Sequence, residues 1–347
     1  MISVAVQTDS VILRAFVANR WLIGAVALHA AISFAVSSAI GLPYENGVIR
    51  TLITLCGTLI PFFLFVLLVW RVVYMVRKVR PDKPAAWLIG DIKSTVLDTN
   101  RMVGGTVTLL AMAFFLNTFS YMKEAIPAIN PFSWDDAFVQ ADRILFAGYD
   151  AYVAMLPVFG HPYALTLFNL AYGGWLILMY FAVFVACFTY VNPAARNSFL
   201  VAFVLTWGVG GNLLATIFAS VGPVFYAPLG LGETFVPLMD YLRSMHMVSP
   251  NLSLNVQDQL WAGYASGNPM AGISAFPSMH VASSTLLMIY AFSCARLAGI
   301  LMAVFLSLIM IGSVVLGWHY AVDGIAGALI AWVAWKIGVR LTKSTAA

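Results

Sequence analysis

Residues 298–341 read AGILMAVFLSLIMIGSVVLGWHYAVDGIAGALIAWVAWKIGVRL, a run of 44 residues that is apolar almost throughout. A straight helix of that length would measure roughly 66 Å, about twice the ~30 Å thickness of the hydrocarbon core of a bilayer. The chain must therefore turn back on itself, and Gly317–Asp323 is the polar interruption in the middle of the run. We predict a hairpin of two membrane-spanning helices, with His319 and Asp323 at its bend.

The rest of the chain has the same character. Of its 347 residues 62% are hydrophobic and 9% are charged, whereas soluble domains carry ~25% charged residues. Eight stretches are long enough to span a bilayer, at 21–41, 51–76, 102–120, 163–190, 198–221, 277–295, 298–317 and 321–340. The first exceeds the ~7–15 apolar residues of a signal peptide and is interpreted as a retained anchor. We predict an all-α, polytopic transmembrane helix bundle with about eight spans.

The basic residues predict the orientation of the bundle. The loop after the second span contains Arg77, Lys78, Arg80 and Lys83, and the positive-inside rule keeps such a loop in the cytoplasm. With eight spans, both termini are then cytoplasmic and the two histidines 280 and 319 emerge together on the extracytoplasmic side. All but four of the 18 basic residues fall inside, and the outer four are Arg50, Lys123, Arg143 and Arg243.

Two outer segments, 121–162 and 222–276, are longer than simple connections. Loops beyond ~15 residues without structure of their own are uncommon and usually functional. Both segments mix charged with aromatic and aliphatic residues, which is typical of amphipathic helices at a membrane interface. We expect these helices to cover the bend of the hairpin, and no boundary of a separate soluble domain is visible.

Pro277-Ser278-Met279-His280 opens the sixth predicted span. Proline suits the first turn of a helix, whose free N–H groups and dipole attract anions. The Ser278 hydroxyl could bind the same anion, and His280 could transfer a proton beside it, since imidazole has an ordinary pKa of ~6.5. The alternative is a helix start with a histidine as a polar anchor at the interface.

His319 and Asp323 are four residues apart, so they share a helix face or meet in a tight turn. A carboxylate can hold one imidazole nitrogen protonated and leave the other free to act as a nucleophile or base. The alternative is a structural His–Asp pair that caps the hairpin.

Together, the two motifs are far more specific. Pro-Ser-x-His followed 39 residues later by His-x-x-x-Asp resembles the second and third signature motifs of the type 2 phosphatidic acid phosphatase superfamily, which includes vanadium haloperoxidases. The string Gly272–Ala282, the final His319-Tyr-x-x-Asp323 and the acidic segment Asp142–Phe146 are similar to the inositol phosphorylceramide synthase-like branch. The resemblance covers roughly 135–340. It implies N-terminal transmembrane helices outside the family core at 1–120 and a catalytic membrane domain at 121–347, integrated in one domain.

The resemblance also implies roles for the motif residues. His319 would be the nucleophile that forms a phosphohistidine, Asp323 would orient it, and His280 would be the general acid for the leaving alcohol. Ser278 would bind a phosphoryl oxygen. This chemistry requires no metal or other cofactor, and the sequence shows no dense cluster of carboxylates or of Cys and His.

The chain departs from the family pattern at its basic residues. The family's Ser-Arg pair is replaced by Gly312 and Ser313, and the first signature, Lys-x₆-Arg-Pro, fails at Arg80-Pro81 because Val73 stands at the lysine position. Phosphoryl transfer still needs positive charge near the phosphoryl oxygens. We expect Arg243 or Arg143 to supply this charge and rank Lys123 and Arg50 behind them. The alternative for each is an ordinary basic residue at the membrane interface.

The sequence thus predicts a membrane-embedded phosphoryl-transfer enzyme for a lipid phosphate or phosphodiester. It would be a lipid phosphatase, or a phosphotransferase with a polyol or other alcohol as acceptor. The alternative is a non-enzymatic transporter or scaffold. Transporter sites usually lie near the midplane of the bilayer, whereas the ionisable residues of this chain gather at one surface, which argues against this alternative. Nucleic acid is disfavoured because no basic face could follow phosphates. The three cysteines, Cys56, Cys187 and Cys294, indicate no disulfide framework.

Overall fold

The computed structural model describes residues 11–246, 252–266 and 272–343, and within them the chain is helical with no strand. The prediction of an all-α protein is confirmed. The helices are α1 (Arg20–Ile40), α2 (Val48–Tyr74), α3 (Pro84–Val96), α4 (Thr99–Glu124), α5 (Asp135–Leu145), α6 (Ala151–Phe159), α7 (Pro162–Phe188), α8 (Pro193–Leu205), α9 (Val236–His246), α10 (Leu252–Ala265), α11 (Met279–Cys294), α12 (Arg296–Val315) and α13 (Ala321–Lys343). Two π-helical segments, Met75–Val79 and Thr206–Leu214, continue α2 and α8, and single turns form at Ile126–Ile129, Ala215–Ile217 and Pro223–Tyr226.

Seven helices in the described part of the chain are long and apolar enough to cross a membrane. They are α1, α2, α4, α7, α8, α12 and α13, with α2 and α8 extended by their π-helical segments. The remaining predicted span is α11, whose 16 residues measure only about 24 Å. It packs against α7, α8, α12 and α13, and a helix enclosed by protein need not match the thickness of the lipid. The multi-pass bundle is confirmed.

The outer segments contain helices, as predicted. Helices α5 and α6 lie in the first, and α9 and α10 lie in the second, whose residues 247–251 and 267–271 fall outside the described parts. Gln257 of α10 donates from Nε2 to the carbonyl oxygen of Leu316 at 3.0 Å. On α9, Met239 and Leu238 lie so close to Gly317 that a Cβ there would be 3.2 and 3.6 Å from them. The helices therefore cover the bend between α12 and α13.

Helix α3 was not predicted, because its segment was interpreted as part of a basic loop. It begins directly after Lys83, with Pro84 in its first turn, where the missing N–H of proline has no cost. Arg71 of α2 forms an ion pair with Asp91 of α3. None of the α3 residues is buried, so α3 lies along the surface of the bundle.

Two polar clusters fasten α1 to the rest of the bundle. His29 of α1 bonds through Nδ1 to Thr118 Oγ1 at 2.9 Å and through Nε2 to Asn212 Oδ1 at 2.8 Å.

The second cluster surrounds the buried guanidinium of Arg196 on α8. It donates to the side chains of Asn19, Thr108 and Asn197 and to the carbonyl oxygens of Ala186 and Cys187. Buried polar groups are costly unless they are hydrogen-bonded, so these contacts fix the position of α1.

Candidate active site

The start of α11 differs from the expectation. The helix begins at Met279, and Ser278 is its N-cap residue, with Oγ accepting the Val281 N–H at 3.4 Å. Pro277 therefore precedes the helix instead of lying in its first turn, because serine is a strong N-cap residue. The backbone N–H of Ser278 donates to the carbonyl oxygen of Asp323 at 3.0 Å. This bond joins the Pro-Ser-x-His motif directly to the His-x-x-x-Asp motif.

The bend between α12 and α13 presents His319. Gly317 adopts a left-handed φ of +76°, which glycine tolerates best, and the N–H of His319 donates to the Ser313 carbonyl at 3.0 Å. Because α13 begins at Ala321, His319 precedes the helix and Asp323 lies in its first turn. The two side chains meet across the turn, with His319 Nδ1 3.3 Å from Asp323 Oδ2.

The two histidines converge. The ring centroids of His280 and His319 are 5.8 Å apart, with an angle of 64° between the planes. Ser278, His319 and Asp323 are buried. The structure thus brings the four motif residues into one cluster, in which both imidazoles can reach the same small group.

Aromatic residues of α7 form one wall of this cluster. The ring of His280 lies 4.1 Å from that of Tyr172 and 4.0 Å from that of Trp175, between centroids. Trp318 is parallel to Tyr172 at 6.2 Å. No sequence pattern predicted this wall, because aromatic residues three apart on a span usually indicate ordinary packing.

Two carboxylates of α5 support the bend between α12 and α13. Asp135 accepts the N–H groups of Val221 and Gly222 and the hydroxyl of Tyr320. Asp142 accepts the N–H groups of Ala321 and Val322, the first residues of α13, at 2.8 and 3.0 Å. Burial raises the pKa of Asp142 to about 6 and also raises the pKa of Asp135. Asp142, which begins the acidic segment Asp142–Phe146 of the sequence analysis, therefore supports the start of the helix that contains Asp323.

Lys123, at the end of α4, brings a positive charge to the histidines. Its Nζ donates to the Ser274 carbonyl at 3.2 Å, and among the described residues no carboxylate lies within ion-pair distance of it. Burial, and then the charge of Lys123, lower the pKa of His319 to about 3, although the Ala275 carbonyl next to the ring opposes this shift. The imidazole of His319 is therefore neutral at physiological pH.

A sequence signal for Lys123 was present but missed. Six residues separate it from Asn130-Pro131, which is the spacing of the first signature motif with asparagine in place of arginine. The side chain of Asn130 donates to the carbonyl oxygens of Thr216 and Ile217, so it joins the segment after α4 to the end of the fifth span.

The arginines ranked first by sequence lie elsewhere. Arg143 donates from Nε to Asp150 Oδ1 at 2.7 Å, and its side chain is 35% exposed. Arg243 on α9 and Arg50 on α2 are exposed. The roles of Arg143 and Arg243 in phosphate binding stay predictions.

Several buried polar atoms around the histidines have no hydrogen-bond partner within the described chain. They are Trp175 Nε1, Trp318 Nε1 and Asp323 Oδ1. Native proteins leave few buried polar groups unpaired, so this concentration indicates a site for a polar ligand. The described residues contain no group of three or more His, Cys, Asp or Glu side chains placed to hold a metal ion.

Comparison with known proteins places this cluster within a family. A model described as the PAP2 superfamily matches residues 136–337, more than half of the chain, and the match includes both histidines and α5 to α12 almost entirely. No curated protein and no solved structure matches the chain.

Proposed function

This chain belongs to the PAP2 superfamily, and from that premise we propose that it transfers a phosphoryl group from a lipid phosphate or phosphodiester through a phosphohistidine at His319. The superfamily supports a phosphatase-type enzyme for lipid-like substrates. The observation that carries the finer assignment is the convergence of the two imidazoles, 5.8 Å apart, beside a carboxylate 3.3 Å from Nδ1 of His319.

The proposed reaction has two steps. Nε2 of neutral His319 attacks phosphorus, and the bond from phosphorus to the lipid alcohol oxygen breaks. His280 starts as the imidazolium, gives its proton to that oxygen and becomes neutral, while Asp323 compensates the positive charge that forms on the His319 ring. Water or an alcohol then attacks the phosphohistidine and gives its proton to His280, which restores both histidines.

The phosphoryl oxygens need donors and positive charge. We assign the charge to Lys123, because its positive charge acts on both imidazoles, whereas the charge of Arg143 is already paired with Asp150. The Ser278 hydroxyl accepts from the backbone, and its own hydrogen can be donated to a phosphoryl oxygen. The unpaired N–H groups of Trp175 and Trp318 are further donors.

The acceptor decides between hydrolase and transferase, since both share every residue of the site. We favour transfer to a polyol or other alcohol, because the string Gly272–Ala282 is similar to the inositol phosphorylceramide synthase-like branch. The distribution of basic residues supports cytoplasmic termini and an active site on the extracytoplasmic side.

The test uses purified protein in lipid nanodiscs and a lipid phosphate labelled with ³²P, with and without inositol. We expect an acid-labile ³²P-phosphoprotein that His319→Ala cannot form, and we expect His280→Ala to accumulate it or to form it slowly. Labelled inositol phosphate would identify a transferase, and release of inorganic phosphate alone would identify a phosphatase. Turnover that survives in His319→Ala would remove the nucleophile assignment, and no turnover with any lipid phosphate would favour a transporter.

A further inference from the structure

A groove lies between α1 and the π-helical segment of α8, away from the histidine cluster. Its volume is about 310 Å³, and apolar side chains form nearly all of its surface. One wall is the stretch of α1 from Ala25 to Val36, and the other extends along α8 and its π-helical continuation from Val204 to Thr216. Met122 of α4 also lines the groove.

The groove faces the hydrocarbon of the bilayer. Leu28, Ile32, Val209 and Leu213 line it and are exposed on the surface of the bundle, although they belong to membrane-spanning helices. The ring nitrogens of His29, the ionisable residue in the wall, already bond to Thr118 and Asn212. The wall therefore suits a hydrocarbon chain and offers no charged partner for a head group.

Met122, which lines the groove, is the neighbour of Lys123 in the last turn of α4. Along α1 the groove extends from Val36 to Ala25, a distance of about 16 Å. Beyond Ala25, towards the N-terminus of α1, Arg196 of α8 donates to Asn19, so a polar cluster lies between the two helices there.

We propose that the hydrocarbon chain of the lipid substrate lies in this groove while its phosphate is bound at Lys123 and the histidines, so that α1 selects the length of the chain. This inference rests on the proposed function. A chain too short to reach Ala25 forfeits packing contacts with the far end of the groove, and one that is too long meets the polar cluster. Helix α1 and Met122 lie outside the matched residues 136–337, so this selection belongs to the part of the chain that the family model does not cover.

The first test fills the far end of the groove. Ala25→Phe places a ring there, and Ala27→Phe is the matched control, because Ala27 is exposed on the same helix and does not line the groove. Lipid phosphates with one head group and increasing chain length are compared by kcat/KM. We expect Ala25→Phe to lower the ratio of long-chain to short-chain kcat/KM by about 10-fold or more, and Ala27→Phe to leave the ratio unchanged. An unchanged ratio in a folded Ala25→Phe protein would overturn the proposal.

The second test does not depend on turnover. A lipid phosphate with a photoactivatable diazirine near its chain end is bound to the His319→Ala variant and irradiated, and the labelled peptides are identified by mass spectrometry. We expect label on 25–36 and on 204–216, removed by an excess of the unlabelled lipid phosphate. Label confined to other helices would overturn the proposal, as would label from a phosphatidylcholine probe that the lipid phosphate fails to displace. If the wild-type protein turned over no lipid phosphate, the proposed function would fail, whereas the labelling would still decide which chain occupies the groove.

Discussion

The carboxylate of Asp142 accepts the N–H of Ala321 at 2.8 Å, across 179 residues of sequence. It also accepts the N–H of Val322, so it occupies the positive end of the helix on which Asp323 lies. A side chain of an outer-loop helix thereby fixes the direction of α13. The orientation of His319 and Asp323 depends on this contact, although Asp142 touches neither imidazole.

Replacing Asp142 with alanine leaves two backbone N–H groups without their acceptor. Loss of a helix cap costs about 0.5–2 kcal/mol, and a buried donor without a partner costs about 1–3 kcal/mol. We expect Asp142→Ala to lower the midpoint of thermal unfolding in detergent and to reduce kcat. Asp258→Ala is the control, because Asp258 is exposed on α10. Equal midpoints for the two variants would show that the cap is dispensable.

The stability of the protein should also depend on pH through Asp142. Burial raises the pKa of this carboxyl to about 6, against ~3.9 in an unfolded chain. Between these values the folded protein holds a proton that the unfolded chain has lost, so the stabilisation from this group is complete below pH ~4 and is lost as pH rises through about 6. We expect the unfolding midpoint of the wild type to fall relative to that of Asp142→Asn between pH 4 and 6.5. A constant difference would contradict the raised pKa.

We expect Lys123→Met to lower the rate of phosphoryl transfer without lowering the stability of the protein. The substitution removes the charge that we assign to the phosphoryl oxygens, and loss of one such contact typically lowers the rate by about 10²–10³-fold. Because the partly buried ammonium has no carboxylate partner among the described residues, its removal should leave the unfolding midpoint equal or higher. Arg143→Met and Arg243→Met are the comparison, measured by kcat/KM and by inhibition with inorganic phosphate. If either arginine variant shows the large loss of kcat/KM instead, then that arginine supplies the charge, as expected from the sequence, and Lys123 does not.

The role of His280 can be tested with the leaving group. A general acid contributes about 10²–10⁴-fold when the leaving alcohol needs a proton. We expect His280→Gln to lose this factor with an alkyl phosphate and to lose little with a nitrophenyl phosphate ester, whose leaving group departs without one. Similar losses with both substrates would assign His280 to phosphate binding.

The spans and the meeting of the two motifs could be predicted from the sequence. The length of an apolar stretch must match the thickness of the bilayer, and the distribution of basic residues indicates on which side each loop lies. The sequence did not predict which helices are neighbours, since hydropathy contains no information on lateral packing. Lys123 was ranked behind Arg243 for that reason, as its position depends on how α4 packs against α7 and the π-helical segment. The contact of Asp142 with the start of α13 could not be predicted either, because its partners are backbone N–H groups 179 and 180 residues away in the sequence.

Gly327 sets the distance between the two motif helices. A Cβ at this position of α13 would lie 2.5 Å from the carbonyl oxygen of Ser278 and 3.3 Å from the Ala282 nitrogen. Both atoms are backbone, so Gly327→Ala must push α11 and α13 apart and stretch the 3.0 Å bond from Ser278 N–H to the Asp323 carbonyl. We expect a lower unfolding midpoint and a fall in kcat of about 10-fold or more, since misplacement of reacting groups by 1 Å can cost ~10²-fold.

Gly174→Ala is the matched control for Gly327→Ala. Gly174 lies within α7, and a Cβ there would have no atom within 4 Å. Alanine in a helix is favoured over glycine by about 0.5–1 kcal/mol, so this variant should unfold at an equal or higher temperature and keep its activity. If both variants behave alike, the effect at Gly327 is one of helix propensity. If only Gly327→Ala loses activity, and the phosphoprotein at His319 forms slowly in it, then the close contact between α11 and α13 holds the two histidines at their working distance.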